Sequence, residues 1–287
     1  MDYDIVIIGS GVAGLSAGLY AIRGNKKILI LEENNIGGIT ATLDLIENYP
    51  GFQKVSGFEL ISNMYNQVSS LGCEFLITNI INIDFDNKTI KISQGSINYK
   101  ALIIASGSSY KKLDLPSEEE FKQKGISYCA VCEGNLYKNK HIVVITDGFS
   151  AKNSIDYLYN ISQNITVLDI TNSYKNDKIN VYNNVKINEF YGDIKIQGVS
   201  INIDNKNLKL DCDGIFISLG TTTNTKLYQD KINTDRGYII SDENMHTNIE
   251  GVFVAGDIRK KNLRQIVTAW SDGAIAGTEA IKYLNNM

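Results

Sequence analysis

Short, almost wholly apolar runs punctuate the chain at residues 4–8, 27–31, 101–105, 140–145, 165–168 and 214–219. Runs of this length and character predict strands buried on both faces of a parallel sheet. After the first run, Leu15, Leu19 and Ile22 recur at helical spacing until Gly24-Asn25, which predicts a helix and its stop. A second helix is predicted over residues 57–71. Residues 73–100 alternate, with turn signals at Asp86-Asn87 and Gln94-Gly95, and read as a β-meander. Residues 37–40 and 47–51 carry too much Gly and Asn for a regular element and read as loops.

The plan then repeats. A strand at 140–145 is followed by a helix over 150–161, a strand at 165–168 closing in Asp169, a strand-rich stretch at 185–210, and a last strand closing in Gly220. Asp169 lies 18 residues past Ala151 (169 − 151), as Glu32 lies 18 past Gly14 (32 − 14). The order predicts a duplicated α/β nucleotide-binding fold. Beyond it, residues 251–255 form a strand ending in Gly256-Asp257. A helix begins at Arg264-Gln265-Ile266 and reaches Leu284, with Gly273, Ala274, Ala276 and Gly277 giving it a small-residue surface for close packing.

The two copies differ where a pyrophosphate would sit. The first reads Gly9-Ser10-Gly11-Val12-Ala13-Gly14 between a buried strand and a helix, with Glu32 placed to accept ribose hydroxyls. Glycines allow the tight turn and the close approach of the phosphates, and the helix N-terminus favours their charge. The second copy reads Thr146-Asp147-Gly148-Phe149-Ser150-Ala151. Its first glycine is gone, and Asp147 sets a negative charge beside the expected pyrophosphate. No arginine follows Asp169 to hold a 2′-phosphate, so NADPH binding is expected to be lost. For NADH, Asp169 is either a ribose acceptor or a strand-end acid facing solvent.

Between the copies lies Cys129-Ala130-Val131-Cys132. Two thiols at this spacing read as a redox disulfide, and a helix start beside them lowers one thiol's pKa. A zinc site would need a second pair of ligands at similar spacing. The remaining Cys73, Cys212, His141 and His246 are scattered, so no metal is expected.

Composition narrows the setting. The 287 residues suffice for two domains, and 43% hydrophobic with 21% charged residues marks a globular protein. A net charge of −4 argues against nucleic acid as a partner. No run of about 18 apolar residues predicts a membrane span. The N-terminus has no basic segment leading a long apolar run, so a cytoplasmic protein is expected.

Together these residues resemble the low-molecular-weight, bacterial-type thioredoxin reductases over nearly the whole chain. The resemblance rests on Gly9 to Gly14, Gly37-Gly38, Glu47 to Gly51, Ala105-Ser106-Gly107, Leu115 to Glu119, Cys129 to Cys132, Gly256-Asp257 and Arg264-Gln265. It implies an α/β flavoprotein with two dinucleotide-binding domains. The FAD domain would span 1–113 and 242–287. An inserted, shortened Rossmann-like domain over 114–241 would carry the disulfide. Flavin contacts would fall on Gly9, Ser10, Gly11, Val12, Ala13, Gly14, Glu32, Gly38, Ile39, Thr40, Asn48, Gly107, Gly256, Asp257, Arg264, Gln265 and Ile266. Homodimers are usual in the family.

Three departures stand out. The family's NADPH-binding GxGxxA and following basic cluster are replaced by residues 146–151 and by Asp169-Ile170-Thr171. Its Asp after the second cysteine is Glu133. The second domain is also short. These departures resemble the ferredoxin-dependent flavin thioredoxin reductases. The resemblance implies that FAD takes electrons from reduced ferredoxin and passes them to the Cys129–Cys132 disulfide. Cys132 would face the flavin and Cys129 would attack thioredoxin. Glu133 is either the acid/base for the thiolates or a helix N-terminal carboxylate paired with the dipole. An acidic ferredoxin would need a basic patch, for which Arg259-Lys260-Lys261 with Arg264, or Lys138, Lys140 and Lys152, are the expected places. Alternatives are an NADH-dependent thioredoxin reductase using Asp169, a flavin-dependent oxidase of small dithiols, and a redox-silent flavin-binding scaffold.

Overall fold

The first apolar run becomes β1 (Asp2–Ile8), in which Ile5, Val6 and Ile7 are wholly shielded from solvent. The structure is a computed structural model that describes residues 1–43, 45–148, 151–225, 227–228 and 230–287. After β1 come α1 (Val12–Ile22), β2 (Ile28–Glu32) and α2 (Gly57–Ser70). Ser56 caps α2, its hydroxyl accepting from Glu59 N. Then follow β3 (Glu74–Ile77), β4 (Ile80–Asp84), β5 (Thr89–Ile92) and β6 (Gly95–Ile104). They form one sheet in the order β3-β2-β1-β6-β5-β4.

The meander expected over 73–100 holds only in part. The β4, β5 and β6 strands are antiparallel neighbours, whereas β3 lies parallel to β2 across the sheet. Helix α2 between β2 and β3 is the long crossover that parallel pairing needs, and alternation along a strand does not distinguish the two directions.

The chain leaves the first unit through β7 (Ser108–Tyr110). It continues through α3 (Pro116–Glu120), β8 (Ile126–Ser127), α4 (Ala130–Glu133), β9 (Ile142–Thr146), α5 (Lys152–Ile161), β10 (Ile165–Asp169) and β11 (Asn180–Asn183). A three-stranded antiparallel meander of β12 (Lys186–Gly192), β13 (Ile196–Ile203) and β14 (Lys206–Asp211) precedes β15 (Gly214–Ser218). The second sheet is parallel, in the order β11-β10-β9-β15-β8. Residues 149–150 of the second turn, with the expected helix start at 150, lie outside the described residues. The chain returns through β16 (Thr221–Thr223), which pairs with β7 as a two-stranded ribbon.

Past the ribbon, β17 (Thr234–Asp235) and β18 (Tyr238–Ile239) form a small hairpin, and β19 (Val252–Val254) adds in parallel to β6. The last helix, α6 (Ile266–Asn285), lies on α1. Its small residues permit this: a Cβ at Gly273 or Gly277 would overlap the carbonyl oxygen of Ala13 or Ala17. Among the described residues no helix is long and apolar enough to cross a membrane.

The units change over at Ser109/Tyr110 and Thr221/Thr222, with a short piece ending at Ile46 also assigned to the second. The sequence placed the changes at 113/114 and 241/242. The larger difference has a packing cause. Tyr228, Ile232 and Ile239 are buried in the same core as Tyr3, Val6 and Leu29, so the described residues of 222–241 fold with the first sheet.

Candidate active site

In the first unit, Gly9 ends β1 at φ +101°, a left-handed conformation that only glycine adopts without strain. A Cβ there would meet Ala105 C at 2.7 Å and Ser106 Cα at 2.9 Å, so the turn lies directly against the segment leading to Gly107. Gly14, in the first turn of α1, packs on Gly9 so closely that a Cβ would overlap Gly9 O. Gly11, the N-cap, is different. A Cβ there would meet nothing within 4 Å, and Gly38 lies nearby, its own Cβ position 3.7 Å from Gly11 Cα. The two outer glycines are thus fixed by packing, while the middle one borders open space.

Glu32, at the end of β2, accepts from Ser10 N (2.9 Å) and Ser10 Oγ (2.7 Å), and from Glu33 N and Asn34 N. Ser10 is buried, so its hydroxyl braces Glu32 beneath the turn. Glu32 itself stays partly exposed. Val12 and Ala13 are buried along α1. Ile39 and Thr40 belong to a 3-10 turn over Gly38–Thr42, and Asn48 Nδ2 donates to Gln265 Oε1 at 3.1 Å. Gln265 caps α6 in a reciprocal box with Thr268, and Ile266 is its first residue.

Gly256 follows β19 at φ +82°, its Cβ position 2.7 Å from Ala13 Cβ. Beside it, Asp257 Oδ1 is shut off from solvent and has no hydrogen-bond partner. Lys261 Nζ stands 3.5 Å away. Burial raises the Asp257 carboxyl above its ordinary range, with Lys261 and Arg264 offsetting part of the rise. The structure therefore gathers Gly9 to Gly14, Gly38, Gly107 and Gly256 around the N-terminal end of α1.

In the first basic patch expected for an acidic partner, most of the cations have partners within the fold. Arg259 and Lys261 pair with Asp272 at 3.2 and 2.9 Å, and Lys260 pairs with Asp235 at 2.6 Å. Arg264 stacks over the Tyr238 ring at 3.9 Å and donates to the carbonyls of Asp257 and Arg259. Arg259, Lys261 and Arg264 are thus taken up within the loop, whereas Lys260 makes an exposed surface pair. In the second patch, Lys138 and Lys152 are exposed and Lys140 lies 3.9 Å from Asp213.

In the second unit, Cys129 and Cys132 are joined as a disulfide. Cys129 is the N-cap of the short α4, and Cys132 N donates to its Sγ at 3.3 Å. Cys129 is half-exposed and Cys132 is buried. Glu133 is the last residue of α4 and is half-exposed. The sequence reading missed β8, a two-residue strand pairing with β15 that delivers the chain to the disulfide. Ser127 Oγ then accepts from Cys129 N.

A second missed feature is Glu118, buried in an acid-rich stretch. Its carboxylate accepts from Tyr128 OH at 2.6 Å and from Leu113 N at 2.9 Å. Tyr128, next to Cys129, stacks on Tyr110 of the ribbon, and burial followed by the Glu118 hydrogen bond raises its phenol pKa. Replacing Glu118 by alanine leaves both donors without their partner. Such a loss costs about 2–3 kcal/mol, to be read as a lower urea midpoint. A change below about 0.5 kcal/mol, the range of ordinary surface substitutions, would contradict this role.

The remaining thiols are set apart from this chemistry. Burial pushes Cys73 and Cys212 up to about 12, which keeps both protonated and unreactive at neutral pH. Among the described residues no group of acidic, His and Cys side chains could hold a metal ion.

The second nucleotide turn is built differently from the first. Asp169 is fully buried, contrary to both sequence readings of it. Its oxygens accept from Thr171 N and Oγ1, Ser173 N and Tyr174 N. Burial alone would raise its carboxyl, but the three backbone amides and the Thr171 hydroxyl outweigh it and hold the carboxyl below its ordinary value. The segment it organises lies on the turn. Ser173 Oγ and Thr171 Oγ1 donate to Asp147 O, and a Cβ on Gly148 would overlap Ser173 Oγ. Where Gly11 borders open space, Gly148 is covered.

Comparison with known proteins agrees with this architecture. A family model for pyridine nucleotide-disulphide oxidoreductases matches residues 3–273. The thioredoxin reductase of Treponema pallidum is 34% identical, over 100% of this chain and 98% of that protein. The crystal structure of thioredoxin reductase from Streptococcus pyogenes MGAS5005 is 34% identical, covers 100% of this chain and 99% of its own, and superposes with a TM-score of 0.93. A ferredoxin-flavin thioredoxin reductase from Clostridium acetobutylicum is 25% identical over 100% and 99% of the two chains, with a TM-score of 0.57.

The chain belongs to the pyridine nucleotide-disulphide oxidoreductase family. Within it, the chain is a flavoprotein disulfide reductase of the thioredoxin reductase type. The family implies FAD, and the first unit fits it. The glycine cradle around Gly11 is one that a side chain would fill, and Asp257 Oδ1 is a buried acceptor left for a donor outside the protein.

Proposed function

We propose that this protein reduces thioredoxin with electrons drawn from reduced ferredoxin and makes no use of NADPH. The observation that carries the choice of donor is the covered second turn. Ser173 lies against Gly148, which leaves less room for the close backbone approach a pyrophosphate needs, and Asp169 is buried and committed to its own loop. Asp147 adds a charge that opposes phosphate. A ferredoxin-flavin thioredoxin reductase, that of Clostridium acetobutylicum, is among the similar structures, at 25% identity against 34% for the thioredoxin reductase of Streptococcus pyogenes. The family match favours a pyridine nucleotide donor as the second reading.

FAD would be held by Gly9 to Gly14, Glu32, residues 38–40, Asn48, Gly107, Gly256, Asp257 and residues 264–266. When bound, it supplies a centre that accepts one or two electrons and so couples a one-electron donor to a two-electron disulfide. Two electrons open the Cys129–Cys132 bond to two thiolates. The half-exposed Cys129 attacks one sulfur of the thioredoxin disulfide and releases the other as a thiolate. The buried Cys132 then attacks Cys129 Sγ, frees reduced thioredoxin and restores the disulfide. The amide of Cys132, which donates to Cys129 Sγ, favours the attacking thiolate. Glu133 delivers and removes the protons.

Anaerobic mixing tests the donor. Reduced ferredoxin is expected to bleach the flavin absorbance and, with thioredoxin present, to produce thiols catalytically. NADPH and NADH are expected to leave the absorbance unchanged. Rapid bleaching by either nucleotide overturns the proposal in favour of the second reading.

A further inference from the structure

The loop after β19 brings two acids and two bases together, with Asp257 and Arg259 partly exposed. Asp272, in α6, is almost wholly buried, as is Lys261. Its Oδ2 accepts from Gly256 N at 3.1 Å, Lys261 Nζ at 2.9 Å and Arg259 Nε at 3.4 Å, and its Oδ1 accepts from Arg259 Nη2 at 3.2 Å. Gly256 is held in a left-handed conformation against Ala13 of α1, and in this geometry its amide meets Asp272. Lys261 bridges Asp272 and Asp257 Oδ1, which has this ion pair but no hydrogen-bond donor. With Asp257, Arg259 and Lys261 the cluster carries no net charge, which makes its burial tolerable; removing one acid leaves a surplus cation in a poorly solvated place.

The geometry points to Asp272 as the positioning residue that presents the Gly256–Asp257 turn to FAD. The inference rests on Asp257 being a flavin ligand. Asp272 does not need to touch the cofactor. It acts through the Gly256 amide, which sets the turn, and through Lys261, which sets the field at Asp257.

FAD affinity of the deflavinated full chain tests this, read by quenching of FAD fluorescence, with the urea midpoint of the apoprotein measured alongside. Asp257→Asn and Asp272→Asn are each expected to weaken FAD binding by about tenfold or more. The double variant is expected to bind within about threefold of Asp257→Asn, because the two residues act through one contact. Full multiplication of the two losses would mean that Asp272 merely stabilises the fold, and would overturn the inference. Wild-type affinity in Asp272→Asn, with a loss in Asp257→Asn, would also overturn it. Wild-type affinity in Asp257→Asn would overturn the ligand reading itself. Should Asp272→Asn not fold, Lys261→Gln carries the same expectation against Asp257→Asn, and full multiplication there overturns the Lys261 link.

Discussion

Cys132→Ser is expected to lose thioredoxin reduction to background, a fall of more than about 10³-fold, because residues acting as a unit fail together. Cys129 is half-exposed and Cys132 is buried, so the two sulfurs divide the work. The buried sulfur resolves the mixed disulfide by attacking its neighbour, and serine cannot do so. The variant should therefore trap thioredoxin as a stable mixed disulfide through Cys129, visible as a shifted band on a non-reducing gel. Cys73 and Cys212 cannot substitute, since burial keeps them as thiols. Normal turnover by Cys132→Ser would end the disulfide scheme altogether.

The second large effect is expected at the first turn, where two neighbouring glycines should behave differently. At Gly14 an added Cβ overlaps Gly9 O, and Gly9 is itself backed by Ala105 and Ser106. Nothing there can yield cheaply. Gly14→Ala should lower the apoprotein's stability and weaken FAD by about 10² or more, equivalent to about 2.7 kcal/mol. At Gly11 a Cβ meets open space, and the backbone at φ −66° accepts any residue. Gly11→Ala should leave the apoprotein's urea midpoint within about 0.5 kcal/mol of wild type yet still weaken FAD, since its methyl group intrudes where the phosphates come close. Wild-type FAD retention by both variants after gel filtration would contradict the placement of the cofactor at this turn.

The contrast between the two halves explains what could be read from residue order. Gly9 and Gly14 are legible because a left-handed turn and a backbone-to-backbone contact accept no other residue. The loss at Thr146 and Asp147 is legible for the same reason. What fills the second turn is not, because Ser173 reaches Gly148 only once β9 and β10 are in register. Asp169 did carry a local signal: an acid with Thr two residues on and Ser four on can bond its own following amides, and here it does. Glu118 carried none. It stands among Glu119 and Glu120, and only the fold decides which of the three is buried. Asp272 was hidden likewise, in a helix noted for its small residues. The basic run at Arg259 to Lys261 misled because charge in sequence says nothing of the acids that fold onto it.

The ribbon of β7 and β16 has a consequence for how the two units can vary. The second unit's main segment leaves and rejoins the first on two adjacent, paired strands. Neither strand belongs to the main sheet of the first unit, whose order is complete without them. An insertion made at such a ribbon leaves the main sheet of the first unit with its own hydrogen bonds complete, so changes within the second unit need not disturb it.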